Sequence, residues 1–597
     1  MGSIVAALPA SGRPDIGLAE RMIEAAPHRG TRFQVVTHGG SALAISCSGT
    51  RADTSLVVHD GVAIAFSGVL DNLGELAQEV GLTAERGAPD PATVLAKLHR
   101  RHGEDAPRRL RGIFAAIVSD GRRLVCFRDQ LGFGPLFYRH DRDGCYVATE
   151  AKQVVAGSGI TKEPDLAVLE QIFYQRYDDQ MPSALRGVQR LPKASILVAE
   201  PSGTRLWPYW VPASLLETAR PSALELRSRF DELMTQAVAR CLTGSDVISL
   251  SGGIDSPAVA AFAGPEHLRK TGRPLPAVSQ VYPDFPNVDE RRYVDLVAQD
   301  LDLSLTTYQQ QTNPLKGLRQ WVEIADGPIP RVGVSLYEEH YRHIRDLGYQ
   351  TVLTGELAEF VFDTRNYLVT HLLLHWRLEA LLKYLRSRRA RGAPLKSIAR
   401  QLASTFVPTP ITAARLRRDR TAAPDWVDLR KANEAAARSL VPGRQRWSKL
   451  QLGAFIGPGV SMEADDVCQE LCGVRTRRPW ADVDLWEFFL SLPAEIKFPD
   501  AQSKGLMRQL LRGKVPDPIL DRRDKTYFDD SIASRIDYPG LSQWLTDPEF
   551  RMDGVDYVRL RDRLERRAFN LVDLAWAMDL AGVHAFLTQW ERSRPSA

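Results

Sequence analysis

The chain has 597 residues, 77 Lys/Arg against 73 Asp/Glu and a net charge of +4. That length is too great for one core and suggests two or three domains; the balanced charge singles out no nucleic-acid partner. No apolar run reaches the roughly 18 residues of a membrane span. The opening Met1-Gly2-Ser3-Ile4-Val5 lacks the basic start of a signal peptide, and 6 cysteines are too sparse for a disulfide framework. A cytoplasmic protein is expected.

Residues 1–210 read as strand-rich. Phe33–Thr37, Ser41–Ile45, Ser55–Val58, Val62–Phe66 and Leu124–Phe127 are short, β-leaning and separated by Gly/Asp turns. A helix is predicted over Pro91–Arg101, and Pro201–Pro212, with its tryptophans and prolines, reads as a linker. From about residue 220 helices and strands alternate: a helix at Leu224–Cys241, a strand at Asp246–Leu250, a strand near Ala277–Tyr282, helices at Asp289–Leu301 and Ser335–Arg345, and a strand at Gln350–Leu353. Such alternation predicts a parallel, doubly wound sheet, whose ligands bind at the carboxyl ends of the strands.

Two segments sit at such ends. Ser251-Gly252-Gly253-Ile254-Asp255-Ser256 joins an apolar strand to a helix, and Thr354-Gly355-Glu356 closes the last strand. Glycines let a backbone approach a ligand closely, and turn N–H groups with a helix N-terminus make an anion cradle. Asp255 is suited to hold Mg2+ against that anion. The spacing resembles the pyrophosphate loop of ATP pyrophosphatases. It is not a kinase-type phosphate loop, because no lysine follows the glycines.

Residues 364–450 break the rhythm with basic, mostly helical sequence. From Arg377 to Arg420 there are 12 Lys/Arg against 2 Asp/Glu. A solvated face and an acidic peptide or partner both fit that excess. Nucleic acid fits it less well, since no aromatic platform is interleaved. Cys468 and Cys472 share a helix face without a metal-completing neighbour.

With these features placed, the chain resembles the class B asparagine synthetase family over nearly its full length. Arg128-Asp129-Gln130-Leu131-Gly132-Phe133-Gly134-Pro135-Leu136-Phe137-Tyr138 and Ala148-Thr149-Glu150-Ala151-Lys152 are similar to its N-terminal blocks. The Ser251 loop, Thr354–Glu359, Arg478-Pro479-Trp480-Ala481-Asp482, Lys504–Arg508 and Arg522–Phe528 are similar to its C-terminal blocks. The resemblance implies an N-terminal, glutaminase-type β-sandwich of the Ntn-hydrolase fold over 1–210. It implies a doubly wound ATP-pyrophosphatase domain with helical additions over 220–597, the basic insertion lying at about 364–450.

The departures matter most. A glutaminase of that family carries cysteine as its processed first residue, with the thiol as nucleophile and its own amine as base. Gly2 stands in that place, and Val69 of Ser67-Gly68-Val69 stands where a glutamine-binding carboxylate belongs. The first domain is therefore expected to be catalytically inactive. Two branches of the family use an amine already on the substrate: the β-lactam synthetases and the lasso peptide cyclases. Length, inactive first domain and basic insertion look most like the cyclases, which join a peptide's N-terminal amine to an internal Asp or Glu.

That resemblance implies ATP and Mg2+ as cofactors, a precursor peptide as substrate, and a leader-binding protein and leader peptidase as partners. Ser249, Ser251, Gly252, Gly253, Asp255, Ser256, Val281, Thr354, Gly355 and Lys504 are expected at ATP and its pyrophosphate, and Asp255 and Glu359 at the metal. Glu356 is expected to receive the ammonium proton, and Lys525 to neutralise the α-phosphate and the tetrahedral oxyanion. Ordering a threaded peptide costs roughly 1–2 kcal/mol per backbone residue. The walls of a shaping cavity are therefore expected in the insertion and at the domain interface. A β-lactam synthetase-like or ammonia-dependent asparagine synthetase-like enzyme is the alternative, and a non-catalytic scaffold the third reading.

Overall fold

The computed structural model describes residues 2–47, 53–82, 89–176, 181–329, 333–363, 365–419, 423–453, 459–523, 526, 528–546, 551–567 and 569–591. The first 210 residues form two antiparallel sheets. Strands β1 (Ile4–Pro9), β2 (Arg32–His38), β3 (Ser41–Cys47), β4 (Thr54–His59), β5 (Val62–Leu70), β6 (Gly112–Ser119), β7 (Leu124–Arg128), β8 (Phe137–Asp141), β9 (Gly144–Ala148), β10 (Gln189–Arg190), β11 (Ser195–Glu200) and β12 (Gly203–Pro208) follow in order. One sheet runs β10-β8-β9-β1-β3-β2 and the other β12-β11-β7-β6-β5-β4.

Period-two alternation builds the layers. Ile4, Ala6 and Leu8 meet Ala63, Ala65 and Ile117 of the second sheet. Val5 and Ala7 face the other way, onto Leu18, Met22 and Val154 of the helices Ile16–Glu24 and Ala151–Ser158. Ile64, Phe66 and Phe114 cover Leu95 and Leu98 of the helix Pro91–His102. The result is a helix–sheet–sheet–helix sandwich.

The segment read as a linker is instead largely strand β12. It pairs with β11 from Gly203↔Glu200 to Pro208↔Ser195. Proline is tolerated there because β12 lies at the sheet edge, where its missing N–H breaks no ladder. Tyr209 then buries its ring and donates to the Arg128 carbonyl at 2.8 Å.

The second domain holds β13 (Asp246–Ser249), β14 (Pro276–Gln280), β15 (Ser304–Tyr308), β16 (Thr351–Leu353) and β17 (Arg475–Arg477), all parallel. Their order is β15-β14-β13-β16-β17. The direction of winding reverses between β13 and β16, and that switch point opens a ligand crevice. Ile248 and Leu353 pack on the helices Ala223–Cys241 and Asp255–Thr271. Val247 and Val352 pack on the opposite layer, Val334–Asp346 and Gly459–Cys472.

The insertion folds as short helices, among them Leu368–Leu374, Leu378–Ala390, Leu395–Thr405 and Thr409–Arg417. Glu217 tethers it, accepting from Arg377 Nη1 at 2.8 Å and Nη2 at 2.9 Å. The C-terminal helix Leu571–Glu591 returns to the first domain, where Trp576 meets Phe173 edge-on at 5.3 Å. Among the described residues, Leu571–Trp590 is long and apolar enough to cross a membrane, yet 78% of that window is buried in the protein.

Under the insertion, Lys497 is buried and donates to Gln451 Oε1 at 2.7 Å. Burial pushes its ammonium down from 10.5 to about 8. Across that window the folded chain binds fewer protons than the unfolded one, so stability rises with pH. Lys497→Met should therefore stabilise the protein at pH 7, and the gain should shrink as pH passes the folded value. Denaturant unfolding at two pH values checks this.

Candidate active site

The Ser251 loop leaves the end of β13 and enters the helix Asp255–Thr271, whose N-terminus no side chain caps. Its shape is internally fixed. Ser251 N donates to Ser256 Oγ at 2.9 Å, and the two serine hydroxyls lie 3.0 Å apart. Gly252 N donates to Glu290 Oε2 at 3.0 Å, while Arg522 Nη1 reaches both Gly252 O (2.9 Å) and Glu290 Oε1 (2.7 Å). A Cβ at Gly252 would lie 2.7 Å from Glu290 Cβ. The glycine lets this brace close.

Across the switch point, β16 ends at Thr354-Gly355-Glu356. Gly355 packs directly on the loop: a Cβ there would lie 2.4 Å from Ser256 N. Thr354 Oγ1 is a buried hydroxyl without a hydrogen-bond partner among the described residues, at the crevice edge. Lys504 Nζ donates to Asp255 Oδ1 at 2.6 Å. Two non-glycine residues adopt left-handed backbone beside these groups, Leu357 at φ 78° and Lys504 at φ 55°, the kind of strain that concentrates at functional sites.

Glu356 accepts from Arg478 Nε at 2.6 Å, and Arg478 Nη2 binds Asp465 Oδ2 at 2.7 Å. Beside Glu356, His340 is held neutral: burial first, then His343, pushes it down to about 4, against the pull of Glu356. Glu359 keeps solvent contact at the rim. Crowding by surrounding protein, then the charges of Asp255 and Glu356, push its carboxyl above the ordinary range, with Lys504 opposing. Two carboxylates that repel one another suit a hard divalent cation shared with phosphate oxygens. Asp255 and Glu359 therefore fit Mg2+. Among the described residues no group of three or more His, Cys, Asp or Glu side chains forms a ready-made metal cage.

The structure thus brings Ser251, Gly252, Gly253, Asp255, Ser256, Thr354, Gly355, Glu356, Glu359 and Lys504 to one crevice. Ser249 ends β13 opposite Val278, and Val281 lies past β14, where its N–H donates to Tyr308 O at 2.9 Å. Lys525 lies outside the described residues. Sequence reasoning gave no role to Glu290, Arg522, Asp465 or Arg478. Arg522 and Arg478 stand inside recognised blocks, and that was the available signal.

In the first domain Gly2 is buried, and a Cβ there would lie 2.2 Å from Ser46 O. Ser3 Oγ accepts from Gln153 Nε2 at 2.7 Å. The seam between the domains is packed with ion pairs, including Arg29–Asp466 at 2.8 Å, Arg190–Glu463 at 2.6 Å, Arg475–Asp53 and Arg477–Asp71. Three small cavities at this seam measure about 20, 20 and 30 Å³. A cavity of about 850 Å³ instead lies where the insertion meets residues 554–559, bordered by Arg417, Trp426, Asp428 and Arg559.

An amidotransferase-type sandwich joined to a doubly wound sheet with a pyrophosphate loop defines an ATP-dependent carbon–nitrogen ligase. Residues 229–563 match the asparagine synthase family, and residues 1–210 match the glutamine amidotransferase domain. The chain belongs to the asparagine synthase family, whose ligases form AMP from ATP. It is 25% identical to glutamine-hydrolyzing asparagine synthetase 3 of Bacillus subtilis over 527 residues, 83% of this chain and 80% of that protein. It is 25% identical to glutamine-hydrolyzing asparagine synthetase 2 of Arabidopsis thaliana over 336 residues, 54% of this chain and 52% of that protein.

Gly355→Ala should abolish pyrophosphate release, because the added carbon pushes β16 off the loop, while circular dichroism stays near that of the parent. Asp255→Asn should lower kcat by about 100-fold or more with little change in Tm. Steady-state pyrophosphate assays and thermal melts check both.

Proposed function

We propose that this ligase is a lasso peptide cyclase: it adenylates a side-chain carboxylate of a precursor peptide and lets the peptide's own N-terminal amine displace AMP. The observation that carries the reading is the state of the first domain. Gly2 has no thiol and no room for one, and Val69 supplies no carboxylate where a glutamine-binding one belongs. The amine must then come from a source other than glutamine, and in this reading the substrate carries it.

The chemistry assigned to the chain has two steps. A substrate carboxylate oxygen attacks the α-phosphorus, the bond to the β-phosphate oxygen breaks, and pyrophosphate leaves into the Ser251 loop. Asp255 and Glu359 would hold Mg2+, which when bound would neutralise charge on the phosphates. Lys504 is placed to turn from Asp255 to phosphate. The amine then attacks the acyl carbon, its proton passes to Glu356, and the C–O bond to AMP breaks. Lys525 is assigned the developing oxyanion.

A peptide substrate is consistent with the insertion. The solvent face of Leu378–Ala390 carries Leu378, Leu382, Lys383, Arg386 and Arg389. Apolar anchors among cations suit an acidic peptide segment; the 850 Å³ cavity is of ligand size but shares no lining residue with the crevice. A leader-binding protein and a leader peptidase are the proposed partners. The six cysteines are all unpaired, which supports a reducing, cytoplasmic setting. The similarity to asparagine synthetases over most of the chain keeps ammonia-dependent asparagine formation as the second reading.

With ATP, Mg2+ and a leaderless peptide bearing N-terminal Gly and an internal Asp or Glu, the expected products are AMP, pyrophosphate and a peptide lighter by one water. Asparagine formed from aspartate and ammonia would favour the second reading. Neither product, with Asp255→Ala unchanged from wild type, would favour a scaffold. Gly2→Cys should release no glutamate from glutamine, since the Ser46 carbonyl occupies the place of the new side chain; glutamate release would restore the amidotransferase reading.

A further inference from the structure

The block Arg128–Pro135 has no task in this reaction if the first domain makes no ammonia. Its geometry gives it one. Asp129 is buried and accepts from the N–H groups of Leu131 (3.1 Å), Phe133 (3.1 Å) and Gly134 (2.7 Å). Gly134 presses on β6, where a Cβ would lie 2.4 Å from Phe114 O. A loop fixed at this many points holds its one aromatic side chain in a set place. That side chain, Phe133, crosses the seam into the core of the second domain and lies 4.8 Å from the Arg478 guanidinium.

Arg478 is the inner end of a chain of contacts that ends at Glu356. Its Nε binds Glu356 Oε2 at 2.6 Å and its Nη2 binds Asp465 Oδ2 at 2.7 Å. Asp465 is itself fixed, accepting from Tyr341 Oη at 2.6 Å and from Gln469 Nε2 at 2.6 Å. The Arg478 side chain is 7% exposed and that of Glu356 is 42% exposed. A buried, three-way-held guanidinium thus steers a carboxylate that reaches into the crevice. A planar cation held by two carboxylates and an aromatic face has one orientation that satisfies all three.

We infer that Phe133 and Arg478 are positioning residues of the ligase site: the glutaminase-like domain is kept because its loop fixes the guanidinium that fixes Glu356. This rests on the amine-receiving role proposed above for Glu356. With one carboxylate oxygen tied to Arg478, the other is free to accept the ammonium proton. Phe133→Ala would free the guanidinium and enlarge the 30 Å³ space beside it, which Val69, Ile113 and Asp465 also line. The second step would suffer and the first would not.

The test separates the two steps in the full-length protein. ATP–pyrophosphate exchange reads adenylation, and amide product per AMP released reads aminolysis, with the leaderless peptide as probe. Phe133→Ala should leave exchange unchanged and lower amide per AMP by about tenfold, the remaining adenylate being lost to water with unmodified peptide recovered. Phe133→Tyr should restore the yield. Phe133→Leu, which keeps most of the volume, should behave like Phe133→Ala if the ring face matters and serves if Phe133→Ala does not fold. In a Glu356→Gln background, Phe133→Ala should have no further effect. Equal loss of exchange and amide, failed rescue by tyrosine, or additivity with Glu356→Gln would overturn the inference. A wild-type protein inactive in exchange would instead overturn the ligase reading, and this inference with it.

Discussion

At residue 355 a side chain one carbon long would sit 2.4 Å from the amide nitrogen of Ser256. Two strands of a parallel sheet diverge at this point, and the chain after one of them presses on the start of the helix after the other. The contact sets the depth of the crevice. It places the Ser251 loop, Asp255 and Glu356 on facing walls, and it is possible because position 355 carries no Cβ. The rest of the site elaborates that approach. Glu290 and Arg522 brace the loop from outside, Lys504 pairs with Asp255 from across it, and Arg478 holds Glu356 from behind.

A second constraint runs along the seam between the domains. Arginines at 29, 190, 475 and 477 are paired there with carboxylates from the opposite domain. Taking such groups from water costs several kcal/mol per ion, so the pairs specify geometry more surely than they add stability. Together with the C-terminal helix packed on Phe173, they make one body of the two domains.

Much of this was legible in the sequence. The five strands named in the first domain and the alternation of the second are present, because period-two burial and short apolar runs between turns are local signals. The crevice was legible because two glycine-bearing segments follow strands. What escaped were contacts between residues far apart in the chain. Glu290 meets Gly252 across 38 positions, and Arg478 meets Glu356 across 122. No window of sequence carries such a pairing. Strand β12 was misread for a different reason. The prolines and tryptophans of residues 201–212 resemble those of a linker, yet an edge strand needs half as many ladder bonds, and so tolerates Trp207 and Pro208 within it.

The central claim is that a substrate carboxylate, and not water or a phosphate acceptor, attacks the α-phosphorus in this crevice. Substrate labelled with oxygen-18 in its carboxyl group tests it directly. The account predicts one labelled oxygen in the AMP released per turnover, and none in pyrophosphate. Unlabelled AMP, or ADP and labelled phosphate in its place, would contradict it.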